Sequence, residues 1–251
     1  MTSIPTALET CAALPAAADL SSSEVYVVRL PLGGAADSRA LRDTLDARER
    51  DRADRLLHQT DRRLFIAAHA LVRVVLGRCL RQPPGAIRIE TTRHGKPRLA
   101  DQSIGLHFNL SHTGDIALLA LARDREVGID VERHRPIDAL KMSRRFFSSA
   151  EHEALCRISP RDRLRAFYRG WTRKESFVKA IGCGLGSSLR DFDVSLAGRG
   201  TQMLQGRRGA CAASVPWTIL PLAVPVGHTA ALTAAGYGWR VSYRTAPTLD
   251  V

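Results

Sequence analysis

Apolar and polar positions along the chain switch between a period of two and a period of 3.6 residues. Residues 24–30, EVYVVRL, are dense in β-branched and aromatic side chains and predict a first strand, turned by residues 31–34. Residues 46–57 follow as a strongly charged helix. The clearest helical repeat comes next, with Leu64, Phe65, Ala68, Leu71, Val72, Val75, Leu76 and Cys79 on one face. Asp61 stands where a cap or first-turn acid belongs, and Pro83 and Pro84 stop the helix. Residues 87–90 predict a short strand and 93–99, RHGKPRL, a turn fixed by Gly95 and Pro97.

Residues 107–122 read as strand, polar turn, strand. His107 and Asn109 alternate with Phe108 and Leu110, SHTGD at 111–115 interrupts, and an almost unbroken apolar run follows. In VGIDVE, 127–132, strand geometry sends Asp130 and Glu132 to one side and Ile129 and Val131 to the core. Residues 137–147 predict a helix, Ser148 or Ser149 a cap for another starting near Glu151, and 163–181 a long helix. Strands are expected at 192–196, 217–222, 229–234 and 239–243, with a surface hairpin or loop at 198–208.

The order strand, helices, strands thus occurs twice. The fold class expected is α+β, as two similar halves in a pseudo-two-fold arrangement with the active site in the cleft between them. The divisions expected are a loose leader at 1–22, an N-terminal half at 23–125, a C-terminal half at 126–245 and a loose tail at 246–251.

With 251 residues and 45% apolar content, there is ample material for a buried core. A formal charge of +12 calls for an anionic partner. Nucleic acid is not that partner, because the arginines are scattered among acids, aromatics make up only 6%, and no recognition motif is present. The five cysteines lie far apart without a CxxC, suggesting neither zinc nor a disulfide framework, and Cys79 and Cys156 are expected to fill apolar helix faces. Residues 6–20 follow no basic segment and are too short and interrupted for a signal peptide or membrane span, so a cytoplasmic protein is expected.

Three features carry candidate chemistry. Glu175 and Lys179 stand four apart and share a helix face with Trp171, before Gly182, Gly184 and Gly186 end the helix. Taken alone they would be a surface ion pair worth roughly 0.3 to 0.5 kcal/mol. Asp130 and Glu132 change that reading, since adjacent carboxylates repel unless a cation lies between them. Oxygen ligands of this kind suit Mg²⁺, which keeps several waters and shares substrate phosphates. Ser111, His112 and Thr113 in a polar turn between core strands offer a third group; their alternative role is to satisfy backbone groups.

Together, GKP at 95–97, FNLSHTGD at 108–115, GIDVE at 128–132, RFFS at 145–148 and WTRKESFVKAIGCGL at 171–185 resemble the successive signature blocks of the long, two-halved, Sfp-like 4'-phosphopantetheinyl transferases. The resemblance covers residues 46–193. It implies transfer of the phosphopantetheine arm of coenzyme A to a serine of an acyl or peptidyl carrier protein, by a monomer, with Mg²⁺ as cofactor. By motif position it implies Asp130, Glu132 and Glu175 as the Mg²⁺ carboxylates, Glu175 also as the base, and Lys179 as the group that neutralises the pyrophosphate. Ser111 and His112 match phosphate-binding positions, and Lys96 with the backbone of 95–97 matches the adenine side. Arg52 matches one basic residue near the 3'-phosphate. The second such position is Glu49 here, and Leu64 replaces an arginine, leaving Arg63 or Arg62 to supply that charge. The alternative from the residues alone is another Mg²⁺-dependent phosphotransferase.

Overall fold

The computed structural model describes residues 15–32, 39–183, 189–198, 200–204 and 215–245. Its class is α+β, and the elements that position the site belong to two four-stranded sheets. The first sheet contains β1 (Glu24–Pro31), β4 (Leu106–Thr113), β5 (Ile116–Arg123) and β10 (Arg240–Thr245), in the order β10-β1-β5-β4. The second contains β6 (Val127–Arg133), β7 (Gln202–Leu204), β8 (Trp217–Leu222) and β9 (His228–Ala235), in the order β6-β9-β8-β7. A small hairpin, β2 (Ile89–Thr91) and β3 (Pro97–Leu99), stands apart.

Both faces of the first sheet are covered, which explains the unbroken apolar run of β5. Tyr26, Val28, Leu30, Leu119 and Leu121 pack on α3 (Gln59–Leu80), whose buried stripe includes Phe65, Leu71, Val72 and Leu76. Val25, Val27, Leu118 and Ala120, pointing the other way, share a core with Val127, Ile129, Val131 and Leu232 of the second sheet. That sheet's other face carries Trp217, Ile219 and Ala231, against Phe177 and Val178 of α6 (Pro160–Ile181). Helix, sheet, sheet and helix therefore stack in that order, and the alternation of side chains along each strand decides which layer each residue joins.

The remaining helices are α1 (Arg39–Asp43), which the hydrophobic pattern missed, α2 (Ala47–Asp54), α4 (Ala139–Phe146) and α5 (Ser149–Arg157). Asp46 caps α2 and Ser148 caps α5, each in a reciprocal box with the glutamate three residues on, Glu49 and Glu151. No helix among the described residues is long and apolar enough to cross a membrane.

Several expectations need correction. The polar turn at 111–115 shrinks to Gly114 and Asp115, because β4 continues through Thr113. Residues 192–196 form no strand. Phe192, Val194 and Leu196 do alternate into the core, but the backbone there bonds to buried side chains, with Val194 N–H donating to Glu151 at 2.7 Å. Part of the 198–208 segment is β7, and the rest lies largely outside the described residues, as does the expected tail. Residues 15–22 of the expected leader are anchored: Leu20 is buried in the first core, and Arg123 donates to the Ala17 carbonyl at 2.7 Å. Strand β10, from the expected C-terminal half, runs parallel to β1 and closes the first sheet. Cys79 is buried, whereas Cys156 is exposed, and Cys183 is disulfide-bonded, contrary to the reading from spacing.

Candidate functional site

The site begins where β6 meets α6. Gly128, Asp130 and Glu132 share one strand face. A Cβ on Gly128 would lie 2.2 Å from the Ser176 carbonyl oxygen and 2.3 Å from the Ala180 nitrogen, so glycine sets the closest approach of strand and helix. The buried Ser176 and Thr233 hydroxyls, 2.7 Å apart, hold the same crossing from β9. Two residues along the strand, Asp130 meets the next turn of α6, where Lys179 Nζ donates to its Oδ1 at 2.6 Å.

Strand β4 completes this corner. Asn109, Ser111 and Thr113 point the same way and accept the backbone N–H groups of Ile129 (2.8 Å), Val131 (3.2 Å) and Arg133 (3.3 Å). Side chains thus take the place of a backbone ladder between the two sheets, which is why polar residues sit in a core strand. Ser111 has a further part: its hydroxyl donates to Asp130 Oδ1 at 3.0 Å and accepts from Lys179 at 3.1 Å. Ser111 thus satisfies a backbone group and also joins the Asp130–Lys179 corner, while Asn109 and Thr113 serve the backbone.

These residues open into a pocket of about 510 Å³ lined by Ser111, His112, Asp130, Glu132, Glu175 and Lys179, with Arg145, Phe146, Trp171 and Arg190 around them. The three carboxylates feel one another. Glu175, 8% exposed, is pushed up to about 7, first by burial and then by Asp130 and Glu132, against the pull of Lys179. Glu132 is raised by burial and by Asp130, opposed by Lys179 and by a hydrogen bond from Trp171. Glu175 and Lys179 are therefore no surface pair. Lys179 bonds across to β4 and β6, leaving Glu175 Oε1 and Asp130 Oδ2 buried without a hydrogen-bond partner among the described residues.

Unsatisfied buried carboxylate oxygens are costly, on the order of 1 to 3 kcal/mol or more each for charged groups. A hard cation would satisfy them, and the all-oxygen donor set suits a small divalent ion. Among the described residues no three carboxylate, imidazole or thiol groups are close enough to enclose a metal on their own. The arrangement fits an ion that completes its shell with water and ligand phosphate.

His112 projects from the pocket wall. The protein around it and the nearby charges of His69, Lys179 and Arg52 hold its imidazole below the ordinary value. Arg52 is thus in electrostatic range of the pocket, stacked 5.2 Å over the Phe65 ring, which in turn stacks on His69. Arg63 is exposed on α3 with no hydrogen bond or ion pair among the described residues, and Arg62 is committed to the carbonyls of Asp54 and Leu56. Lys96 does not line the pocket. Its ammonium pairs with Glu126 and donates to the Ala180 carbonyl at 2.5 Å, and its stem packs on Gly182, which caps α6 with φ +68°. Burial would raise Glu126, but hydrogen bonds from His107 and Lys96 bring it down to about 2.

Glu49, the acidic departure noted above, has a structural reason. It accepts from Arg73 Nε at 2.5 Å and lies 2.9 Å from His69 Nδ1, while Asp46 takes another Arg73 nitrogen at 2.6 Å. A fully buried arginine needs these two acids.

Local pattern also missed the supports of α6. Lys174 and Arg173 look like surface residues in sequence, yet both are buried. Lys174 pairs with Glu151 at 2.8 Å and donates to the carbonyls of Leu189 and Phe192 at 2.7 and 2.6 Å, holding the segment that ends at the pocket rim. Thr172, Arg173, Lys174, Glu175 and Ser176 form an unbroken polar run that reads as a solvated stretch, and all five are buried.

Comparison with known proteins bears on what such a pocket does. A family model described as 4'-phosphopantetheinyl transferase superfamily matches residues 126–232, and one described as 4'-phosphopantetheinyl transferase, N-terminal, matches 35–124. The chain is similar to the 4'-phosphopantetheinyl transferase HetI of Nostoc sp., 33% identical over 228 residues, which cover 89% of this chain and 93% of that protein. It is 34% identical over 148 residues to the 4'-phosphopantetheinyl transferase Sfp of Bacillus subtilis, covering 59% of this chain and 65% of the relative. With the mouse L-aminoadipate-semialdehyde dehydrogenase-phosphopantetheinyl transferase it shares 33% over 165 residues, 61% of this chain and 53% of the other.

Proposed function

The chain belongs to the 4'-phosphopantetheinyl transferase superfamily, and on that premise we propose that it moves the phosphopantetheine arm of coenzyme A to a serine hydroxyl of an apo acyl or peptidyl carrier protein. The serine oxygen forms a bond to the phosphorus bearing the arm. The bond from that phosphorus to the bridging oxygen breaks, and adenosine 3',5'-bisphosphate leaves.

The observation that carries this reading is the joint placement of Lys179, Ser111 and three carboxylates in one pocket, with two buried carboxylate oxygens unpartnered. Asp130, Glu132 and Glu175 would hold Mg²⁺ together with the pyrophosphate, and the ion would supply charge neutralisation at the phosphate oxygens. Glu175 takes the serine proton, directly or through water. The raised value of about 7 belongs to the cation-free pocket; bound Mg²⁺ would lower it and keep Glu175 ionised, the form that accepts a proton. Lys179 turns from Asp130 toward the pyrophosphate and stabilises the charge on the leaving oxygen. Ser111 and His112 bind phosphate, and Arg52 and Arg63 face the 3'-phosphate. Lys96, held at the end of α6, sets the adenine side through the backbone of 95–97.

Residues 23–125, joined in one sheet by β10, are read as the coenzyme A half and 126–235 as the metal and catalytic half, related by a pseudo-two-fold axis with the pocket in the cleft between them. The two family models, which end at 124 and begin at 126, support that division. Both halves lie on one chain, which supports a reading as a monomer; the same reading places it in the cytoplasm, with an acidic carrier protein that answers the +12 charge. The alternative, another Mg²⁺-dependent phosphotransferase, is not favoured, because the family models and all three relatives carry the same transferase description.

The test is Asp130→Ala with and without chelation. Transfer is expected to fall by orders of magnitude in the variant and in the chelated wild type, with the melting transition retained. Transfer that survives both would overturn the assignment of Asp130 and the metal.

A further inference from the structure

Outside this pocket, α4 and α5 bring together a nucleophile, a base and a group that orients the base. Cys156 is exposed on α5, and its Sγ lies 3.7 Å from Nε2 of His152, one turn earlier. His152 Nδ1 lies 2.8 Å from the Oγ of Ser143 on α4. That hydroxyl, on a fully buried residue, donates its only proton to the Leu140 carbonyl at 3.0 Å. With the proton placed there, the hydroxyl accepts from His152, which assigns the ring proton to Nδ1 and turns the lone pair on Nε2 toward the thiol. A cysteine within reach of an imidazole whose tautomer is fixed by a third group is the arrangement of an activated nucleophile.

The geometry points to Cys156 as a modification site for low-molecular-weight disulfides, with His152 as the proton acceptor and Ser143 as its positioning residue. The Cys156 sulfur forms a bond to one sulfur of the small disulfide as the bond between that pair breaks. The thiol proton passes to His152 Nε2, and the second sulfur leaves as a thiolate that takes this proton back. Cys156 is oxidised to a mixed disulfide while the departing half is reduced, so no other oxidant enters. Cys79, the other free cysteine among the described residues, is buried and takes no part.

The test uses the full chain with glutathione disulfide and no added reductant. Intact mass follows the adduct, and peptide mapping locates it. Cys156 is expected to carry the adduct, and Cys156→Ser to lose it. His152→Gln is expected to slow formation at least about fivefold at pH 7 and to match the wild type near pH 10, where a thiol ionises unaided. Ser143→Ala should show the same convergence, and retained phosphopantetheine transfer with an unchanged melting temperature serves as the folding control. His152→Asn is used if the glutamine variant fails that control. An adduct elsewhere but not on Cys156 would overturn the proposal. So would equal rates at pH 7, or a slowing that persists at high pH, since a merely structural role would not vanish when the thiol ionises.

Discussion

Replacing Glu175 with glutamine separates a group kept for chemistry from one kept for stability. With no cation bound, the carboxyl ionises at about 7 instead of 4.5. Each tenfold change in acidity corresponds to about 1.4 kcal/mol, so the ionised group disfavours the fold by up to ~3 kcal/mol, and by about 1 to 3 kcal/mol once relaxation and water entry are allowed. The folded value is raised, so the group's favourable contribution is complete below pH 4.5 and is lost as pH rises through about 7. Glutamine has nearly the same shape and no charge. Urea unfolding of both proteins, in the presence of a chelator and from about pH 4.5 to 8.5, should show the variant gaining that 1 to 3 kcal/mol on the wild type as pH rises, while its transfer rate falls by orders of magnitude. The pH-dependent part of the difference is the signature, because any fixed cost of the substitution cancels. A difference that stays flat across the series, or near-normal turnover in the variant, would refute the reasoning and leave Glu175 a buried carboxyl without a part in the chemistry.

Gly128→Ala places a methyl within 2.3 Å of α6 backbone atoms and should separate Asp130 from Lys179. We expect a loss of about 2 kcal/mol or more of stability and a sharp fall in transfer, checked by unfolding and turnover, with full activity counting against the close crossing as the determinant of the site. Raising ionic strength should increase KM for an acidic carrier protein more than KM for coenzyme A, because rim charges are screened and pocket contacts are not. A constant ratio of the two in one buffer series would mean that docking is mainly apolar.

How much of this was legible depended on whether an interaction was local. The periodicity of α3, the alternation that sends Asp130 and Glu132 to one side of β6, and a serine cap of α5 at 148 or 149, which is Ser148, are all set by neighbours a few residues away, and all could be read in advance to that extent. The segment 111–113 misled because its polar side chains bond to backbone N–H groups some twenty residues downstream, which periodicity does not register. Residues 192–196 misled for the converse reason. They alternate like a strand, but their backbone partners are charged side chains of α5 and α6. Glu49 looked like a lost phosphate-binding cation and proved to be a counter-charge for the buried Arg73, and Lys96, matched by motif to a ligand, is held by Glu126 and the end of α6. The parallel closure of β10 onto β1 joins the two ends of the chain and leaves no local trace.

In the proposed reaction one pocket, built from β4, β6 and α6, transfers phosphopantetheine from coenzyme A to a carrier protein. Its most direct test is the intact mass of an apo acyl or peptidyl carrier protein after incubation with the full chain, coenzyme A and Mg²⁺. A gain of one phosphopantetheine arm on the carrier serine is expected, with release of adenosine 3',5'-bisphosphate in equal amount and neither product with Asp130→Ala. An unchanged carrier mass with several apo carriers, or a gain that the Asp130→Ala enzyme also produces, would contradict it.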